Sequence, residues 1–379
     1  NRGFGHEKIL TRIRIDNMTE RLLNQKNLNV ETVLPKDEKL YIKSTANLSA
    51  GGIAIDVTDE VHPMTKAITE RISQIIGLNV IGIDLITKDH RVPLSNDNGG
   101  IIEVNAAPGF RMHLKPFEGK SRNVAGAVVD MLFPPGSKYD IPIVAVTGTN
   151  GKTTTIRLIS HILGLNGSTV GMTSTDGIVI SNDLIVKGDY SGPEGAKIVL
   201  MDAAIDHAVL EVARGGIVRR GLGYDESDVA VVTNITEDHL GDGGINTLED
   251  LTRLKGTIVE TVKPGGYAVL NADDDLVMTL KEKTKGQVIL FSVEPDNPEL
   301  IKHHADGNVI VTLRDGSVII QKGSMISTIA NVIEIPLTLE GNALFNVSNA
   351  LAAVGATYAL GLNDKQIRAG VTSFSPSIG

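Results

Sequence analysis

A chain of 379 residues that is 41% hydrophobic and carries 40 glycines has the length for two or three domains with a sizeable core. Its net charge of −9 argues against nucleic acid as a main partner, because binding a phosphate backbone rests on a basic surface. The absence of cysteine removes disulfides, thiolate zinc sites and cysteine nucleophiles and fits a reducing cytoplasm. No apolar run reaches the ~18 residues of a membrane span, so no membrane partner is expected, and the missing initiator methionine suggests a fragment.

In chain order, Val61, Met64, Ile68, Ile72 and Ile75 recur at helical spacing and predict a helix. Two strand-like runs follow, residues 80–86 and 101–104, with Gly99 and Gly100 expected in the turn between them. Alternation puts Glu103 and Asn105 on one face, and pairing of the two runs brings Asp84 to them. Three oxygen side chains then converge as Mg²⁺ bridging ATP phosphates requires; the plainer reading is the wet face of a two-stranded ribbon. The stretch "FPPGSKYDIP" separates two differently patterned halves, and the expected domains are 1–133 and 134–379.

Beyond it, apolar runs at 141–146, 207–212, 229–234, 267–270 and 288–292 alternate with helices and read as a mostly parallel sheet covered on both faces. Residues 308–338 break the alternation and are expected to form a small antiparallel insert around the Asp315-Gly316 turn.

The first of these strands runs into "VAVTGTNGKTTT" and then a helix, the context of a phosphate-binding loop. Thr147, Gly148, Thr149, Asn150, Gly151, Lys152, Thr153 and Thr154 are its candidates. Glycines let successive N–H groups face one anion, the helix start adds its positive end, Lys152 supplies a cation, and the Thr153 hydroxyl suits Mg²⁺. One departure stands out: where the common loop has its first glycine, this chain has Val146.

Since ligands gather beyond the carboxyl ends of strands in doubly wound sheets, the residues after each later strand come next. Glu211 ends one strand, and Glu237, Asp238 and His239 stand at the tip of another. With Thr153 they make an oxygen-rich set for a hard cation; a solvated strand end and a helix cap are the plainer readings. Arg214, Arg219 and Arg220 lie among glycines in what reads as a flexible basic loop, either facing substrate carboxylates or simply on the surface. Asn271 follows a further strand, and Asn346 and Asn349 share one helix face.

In this order, "TGTNGKTTT", "NITEDHL", "LNADD" and "FNVSNALAA" resemble the central ATPase domain of the Mur ligase family, which includes folylpolyglutamate synthetase. The resemblance implies a reaction in which ATP phosphorylates a carboxylate and an amine displaces the phosphate. It implies Lys152 on the phosphates, Thr153, Glu211 and His239 on Mg²⁺, and Asn271 and Asn349 near adenine. Lys255 lies about where many members carry a carbamylated lysine on a second metal; a surface lysine is the alternative.

In the first half, "EVNAAPG" resembles the metal-binding signature of ATP-grasp ligases, which also make acyl phosphates. The implied fold class is α/β: a partial ATP-grasp α+β domain, then a doubly wound P-loop sheet. This tandem, with "GHEKILTRI", "TANLSAGG" and "LEVARGG", is similar to the cyanophycin synthetases. In that family one site adds aspartate to a polyaspartate backbone and the other attaches arginine to each side chain. ATP, Mg²⁺, the two amino acids and an acidic primer are the implied cofactors and partners, in a cytoplasmic homo-oligomer. Arg111 is then a candidate for holding the acidic chain at the first site, and Arg214 to Arg220 for the second. The upstream ATP-grasp portion and the carboxyl-terminal Mur domain are missing, so each site is expected to be incomplete here. Another Mur or folylpolyglutamate-type amide ligase, or an ATP-binding scaffold without catalysis, are the competing readings.

Overall fold

The computed structural model describes residues 2–3, 8–43, 47–137, 140–237, 240–241 and 243–375. Chain contacts divide it into two units, residues 1–139 and 140–379.

In the first unit, α1 (Asn17–Gln25) is capped by Asp16, whose carboxylate accepts the Thr19 N–H. Helix α2 (Pro63–Ile76) starts on a proline and stops at Gly77, which takes the left-handed conformation. An antiparallel ribbon follows, β1 (Gly82–Thr87) with β2 (Gly99–Asn105), and then short helices α3 (Arg111–Leu114) and α4 (Val124–Leu132). Gly99 and Gly100 are not in the turn, as expected from sequence, but begin β2, and residues 88–98 make the connection. The glycine at 99 answers to backbone proximity: a Cβ there would lie 2.0 Å from the Ile86 carbonyl oxygen. Among the described residues of this unit, Leu23 is the single buried apolar side chain, while Ile86 and Ile102 are 67% and 62% exposed.

The second unit is one sheet of eleven strands. Its elements run β3 (Ile143–Thr147), α5 (Lys152–Leu165), β4 (Val170–Thr173), β5 (Gly177–Ile180), β6 (Asp183–Lys187), α6 (Pro193–Leu200), β7 (His207–Glu211) and α7 (Arg214–Arg220). They continue with β8 (Ser227–Val232), α8 (Leu248–Glu260), β9 (Val262–Asn271), α9 (Asp275–Met278), β10 (Gln287–Phe291) and α10 (Pro298–Ala305). The end is β11 (Val309–Arg314), β12 (Ser317–Lys322), β13 (Met325–Asn331), α11 (Leu344–Ala359) and α12 (Asp364–Ser373).

The strand order β13-β12-β11-β10-β9-β8-β3-β7-β4-β5-β6 holds a parallel centre from β11 to β4. The expected small antiparallel insert is β11 to β13, of which β11 joins the parallel centre and β12 and β13 extend that edge; β5 with β6 extend the other, and these two and β4 were not read from the sequence. Strand alternation feeds two layers. Val144, Val146, Val209, Val229 and Val231 pack with Ile156, Ile159 and Ile162 of α5 and with α11. Ala145, Ala230, Val232 and Leu270 pack with Leu251, Ile258 and Val259 of α8. Both faces being covered, the strands read as continuous apolar runs. Strand β3 lies between β7 and β8, the point where chain order reverses and where open sheets bind ligands.

Candidate functional site

Val146 is fully buried against α5, which explains the missing glycine: the position belongs to the sheet core and the loop begins after it. Thr147 is buried too, its hydroxyl donating to the Val212 carbonyl at 2.7 Å and tying β3 to the end of β7. Gly151 caps α5 at φ 85°, in the left-handed region. A Cβ there would lie 2.1 Å from Asn349 Oδ1, so this glycine is needed for both its backbone and its neighbour.

Lys152 Nζ donates to the carbonyls of Gly148 and Thr149, each at 3.0 Å, so its ammonium lies across the loop. The Thr153 hydroxyl donates to Glu211 Oε2 at 2.8 Å. Glu211 is 2% exposed, opposite Val146 in the register of β3 and β7. Burial pushes its carboxyl above the usual range; the Thr153 bond, the Lys152 charge and the Thr175 N–H act against that, and Asp189 adds to it. The first turn of α5 offers the N–H groups of Gly151, Lys152, Thr153 and Thr154, which find no protein acceptor among the described residues.

Beside the loop opens a cavity of about 500 Å³ lined by Asn150, Gly151, Thr154, Asn234, Phe345, Asn346, Ser348 and Asn349. Phe345, 70% exposed, was passed over in the sequence, although it stands inside the quoted "FNVSN". Asn349 lines this cavity and Asn271 does not. The Asn271 amide donates to the Thr233 carbonyl at 2.8 Å while its oxygen accepts the Asp273 N–H at 3.0 Å, so it ties β9 to β8.

Two expectations change, and one falls outside what the structure describes. The segment carrying Arg214, Arg219 and Arg220 is the helix α7 rather than a flexible loop, and Arg220 is ion-paired with Glu194 of α6. Lys255, at 1% exposure on the inner side of α8, is not a surface lysine. His239, with Asp238, lies outside the described residues. Among the described residues no group of three or more His, Cys, Asp and Glu side chains is placed to hold a metal, and of the expected Mg²⁺ set the described residues show the Thr153–Glu211 pair.

In the first unit Asp84 stands directly opposite Glu103, and Asn105 opposite Gly82, which puts the three oxygen side chains on one face. A register shift after Asp84 leaves Ile102 unpaired, and without it the inward alternation of β2 would not match that of β1. The Arg111 guanidinium donates to the carbonyls of Lys8 and Ile9. Arg122 pairs with Asp56 and Asp59, each at 2.8 Å, and holds the Asp59 carboxyl down at about 2.

The Mur ligase middle domain matches residues 146–357, from the last core residue before the loop to α11. The chain belongs to the Mur ligase family. It is 49% identical over 377 residues to a cyanophycin synthetase of Synechocystis sp., covering 100% of this chain and 43% of that protein. A second relative, the glutathione biosynthesis bifunctional protein GshAB of Mannheimia succiniciproducens, is 36% identical over 135 residues, 35% of this chain and 18% of its own length. Among solved structures, a UDP-N-acetylmuramoyl-L-alanyl-D-glutamate–2,6-diaminopimelate ligase aligns with a TM-score of 0.49 and 22% identity over 63% of this chain and 47% of that one. The chain spans less than half the length of the cyanophycin synthetases it matches. None of its described helices is long and apolar enough to cross a membrane.

Proposed function

We propose that the chain is the central part of an ATP-dependent carboxylate–amine ligase that makes cyanophycin, multi-L-arginyl-poly-L-aspartate. The carrying observation is the Thr153–Glu211 pair beside four free N–H groups and a base-sized cavity in a Mur ligase domain. The donor set fits a nucleoside triphosphate. Backbone N–H groups and Lys152 meet phosphate oxygens, Thr154 and Asn349 border the base cavity, and Phe345 presents a ring for the base to stack on. Glu211, Thr153 and His239 are the residues that would hold Mg²⁺, whose chemistry is to neutralise charge on the phosphates.

In this reading residues 134–379 add arginine. The substrate carboxylate takes the γ-phosphoryl group, and the arginine amine attacks the acyl carbon and expels phosphate, so that amide, ADP and phosphate leave. Arg214 and Arg219 on α7 are the candidates to face the acidic polymer, and Lys255, as a carbamylated lysine, would hold a second metal. Residues 1–133 are the carboxyl-terminal portion of an ATP-grasp domain that adds aspartate. There Asp84, Glu103 and Asn105 are the residues that would hold the metal, supported by their shared ribbon face, and Arg111 is the candidate for holding the acidic chain. The enzyme works in the cytoplasm as a homo-oligomer.

The test uses the full-length protein with ATP, Mg²⁺, an acidic primer, aspartate and arginine, with polymer mass as readout. Lys152→Ala is expected to stop arginine addition and Glu103→Ala aspartate addition, each by about 10²-fold or more. A parent that incorporates neither amino acid, or that is indifferent to both changes, defeats the proposal.

A further inference from the structure

The phosphate loop is shaped from outside. With Val146 in the core, the chain from Thr147 to Gly151 is gripped by residues 233–236, which follow β8. The Asn234 side chain forms a two-bond ring with the backbone of Asn150: its Oδ1 accepts the Asn150 N–H at 2.9 Å and its Nδ2 donates to the Asn150 carbonyl at 3.0 Å. The Thr233 hydroxyl donates to the same carbonyl at 2.6 Å, and it fills the space a Cβ at Gly148 would need, 1.9 Å away. The Asn234 carbonyl accepts the Thr149 N–H at 2.9 Å, and the Thr149 hydroxyl exchanges bonds with the Thr236 backbone, both at 3.1 Å.

Two consequences follow from peptide geometry. First, the amides of Thr149 and Asn150 are already bonded and drop out of anion binding, which leaves the run of unbonded N–H groups at residues 151–154 at the helix start. Second, the carbonyl of Asn150 and the N–H of Gly151 belong to one planar trans peptide and point in opposite directions. Fixing that carbonyl with two donors therefore aims the Gly151 N–H away from β8. The gripping segment is itself tied down, the Thr233 carbonyl by Asn271 at 2.8 Å and the Ile235 N–H by Asp274 at 2.7 Å.

We propose that Asn234, assisted by Thr233, is a positioning residue for nucleotide binding, acting through the Asn150–Gly151 peptide to orient the first phosphate donor. This rests on the ATP-binding reading above. An ordinary cross-loop brace would change melting temperature and all substrates alike, whereas a positioning residue acts on nucleotide alone.

The full-length protein is measured as parent, Asn234→Ala, Asn234→Asp, Thr233→Val and Thr233→Ser. Affinity for a non-hydrolysable ATP analogue with Mg²⁺ is read by calorimetry as the component that Lys152→Ala removes, KM for ATP and for arginine by turnover of arginine addition, and folding by thermal melt. Asn234→Ala is expected to weaken the analogue and raise KM for ATP about tenfold, the scale of two lost hydrogen bonds, with KM for arginine within twofold. Asn234→Asp, which keeps the acceptor and loses the donor, is expected to lose at least as much affinity while melting within a few degrees of the parent. A parent that binds no analogue overturns the ATP reading; a parent that binds it as well as Asn234→Ala overturns this one alone. Where Asn234→Ala does not fold, the threonine pair decides. Loss in Thr233→Val restored in Thr233→Ser supports the clamp, and equal affinities in both sink it.

Discussion

Glu211 concentrates the chemistry of the larger unit in one buried carboxyl. Because burial raises its pKa above the ordinary 4.5, the folded state keeps the proton at pH values where the unfolded chain has lost it. The sign follows: the cost of burying this acid is absent at low pH and grows as pH rises past the unfolded value. Glu211→Gln keeps the Thr153 bond and removes that cost, so without nucleotide it is expected to melt at or above the parent at pH 7 and to converge with it near pH 4. Mg²⁺-dependent nucleotide affinity, which needs the carboxylate, is expected to fall with acidification in the parent and to be weak and flat in the variant. Coincident melting curves at every pH would contradict this account. The acid itself was readable as the end of an apolar strand. Thr153 was named beside it as a cation ligand, but their direct bond across 58 positions was not, nor was the Thr175 N–H 36 positions away.

At the scale of elements, the ribbon β1–β2 shows how one glycine sets a site at a distance. Gly99 admits the Ile86 carbonyl, and that approach fixes the register which, after the shift at Asp84, sets Asp84 opposite Glu103. Gly99→Val is expected to break the pairing at this end and reduce aspartate addition about as much as Glu103→Ala does, with arginine addition within twofold. Product analysis with each amino acid alone checks it, and unchanged aspartate addition would contradict it. The sequence marked these glycines as punctuation and misplaced them in the turn, because a dipeptide of glycines signals freedom of φ and close backbone approach equally well. The basic segment misled in the same way. Gly215, Gly216 and Gly221 suggested a loop, yet residues 214–220 close a helix whose Arg220 finds Glu194.

For the whole molecule, the two units differ in what holds them together. Residues 140–379 enclose three apolar clusters on the two faces of one sheet, whereas residues 1–139 bury one apolar side chain among those described. A two-stranded ribbon with no fully buried side chain in either strand is marginal by itself. Expressed separately, residues 140–379 are expected to melt cooperatively and to bind the ATP analogue, and residues 1–139 to show no sharp transition. Calorimetry of the two pieces checks this, and a cooperative melt for the smaller piece would overturn the comparison.

The sequence by itself determined the local things: five of the seven parallel strands, as apolar runs; the strand-to-helix turn after the first of them; and Glu211 at a strand end. These depend on neighbours within a few positions, where periodicity and backbone preference act directly. Only the tertiary structure decided which strands are neighbours, that the antiparallel strands continue the central sheet, that Lys255 is inside, and that Asn234 bonds the loop backbone alongside its glycines. Each of those is a contact between segments tens of residues apart, and a pattern read along the chain carries no distance across it.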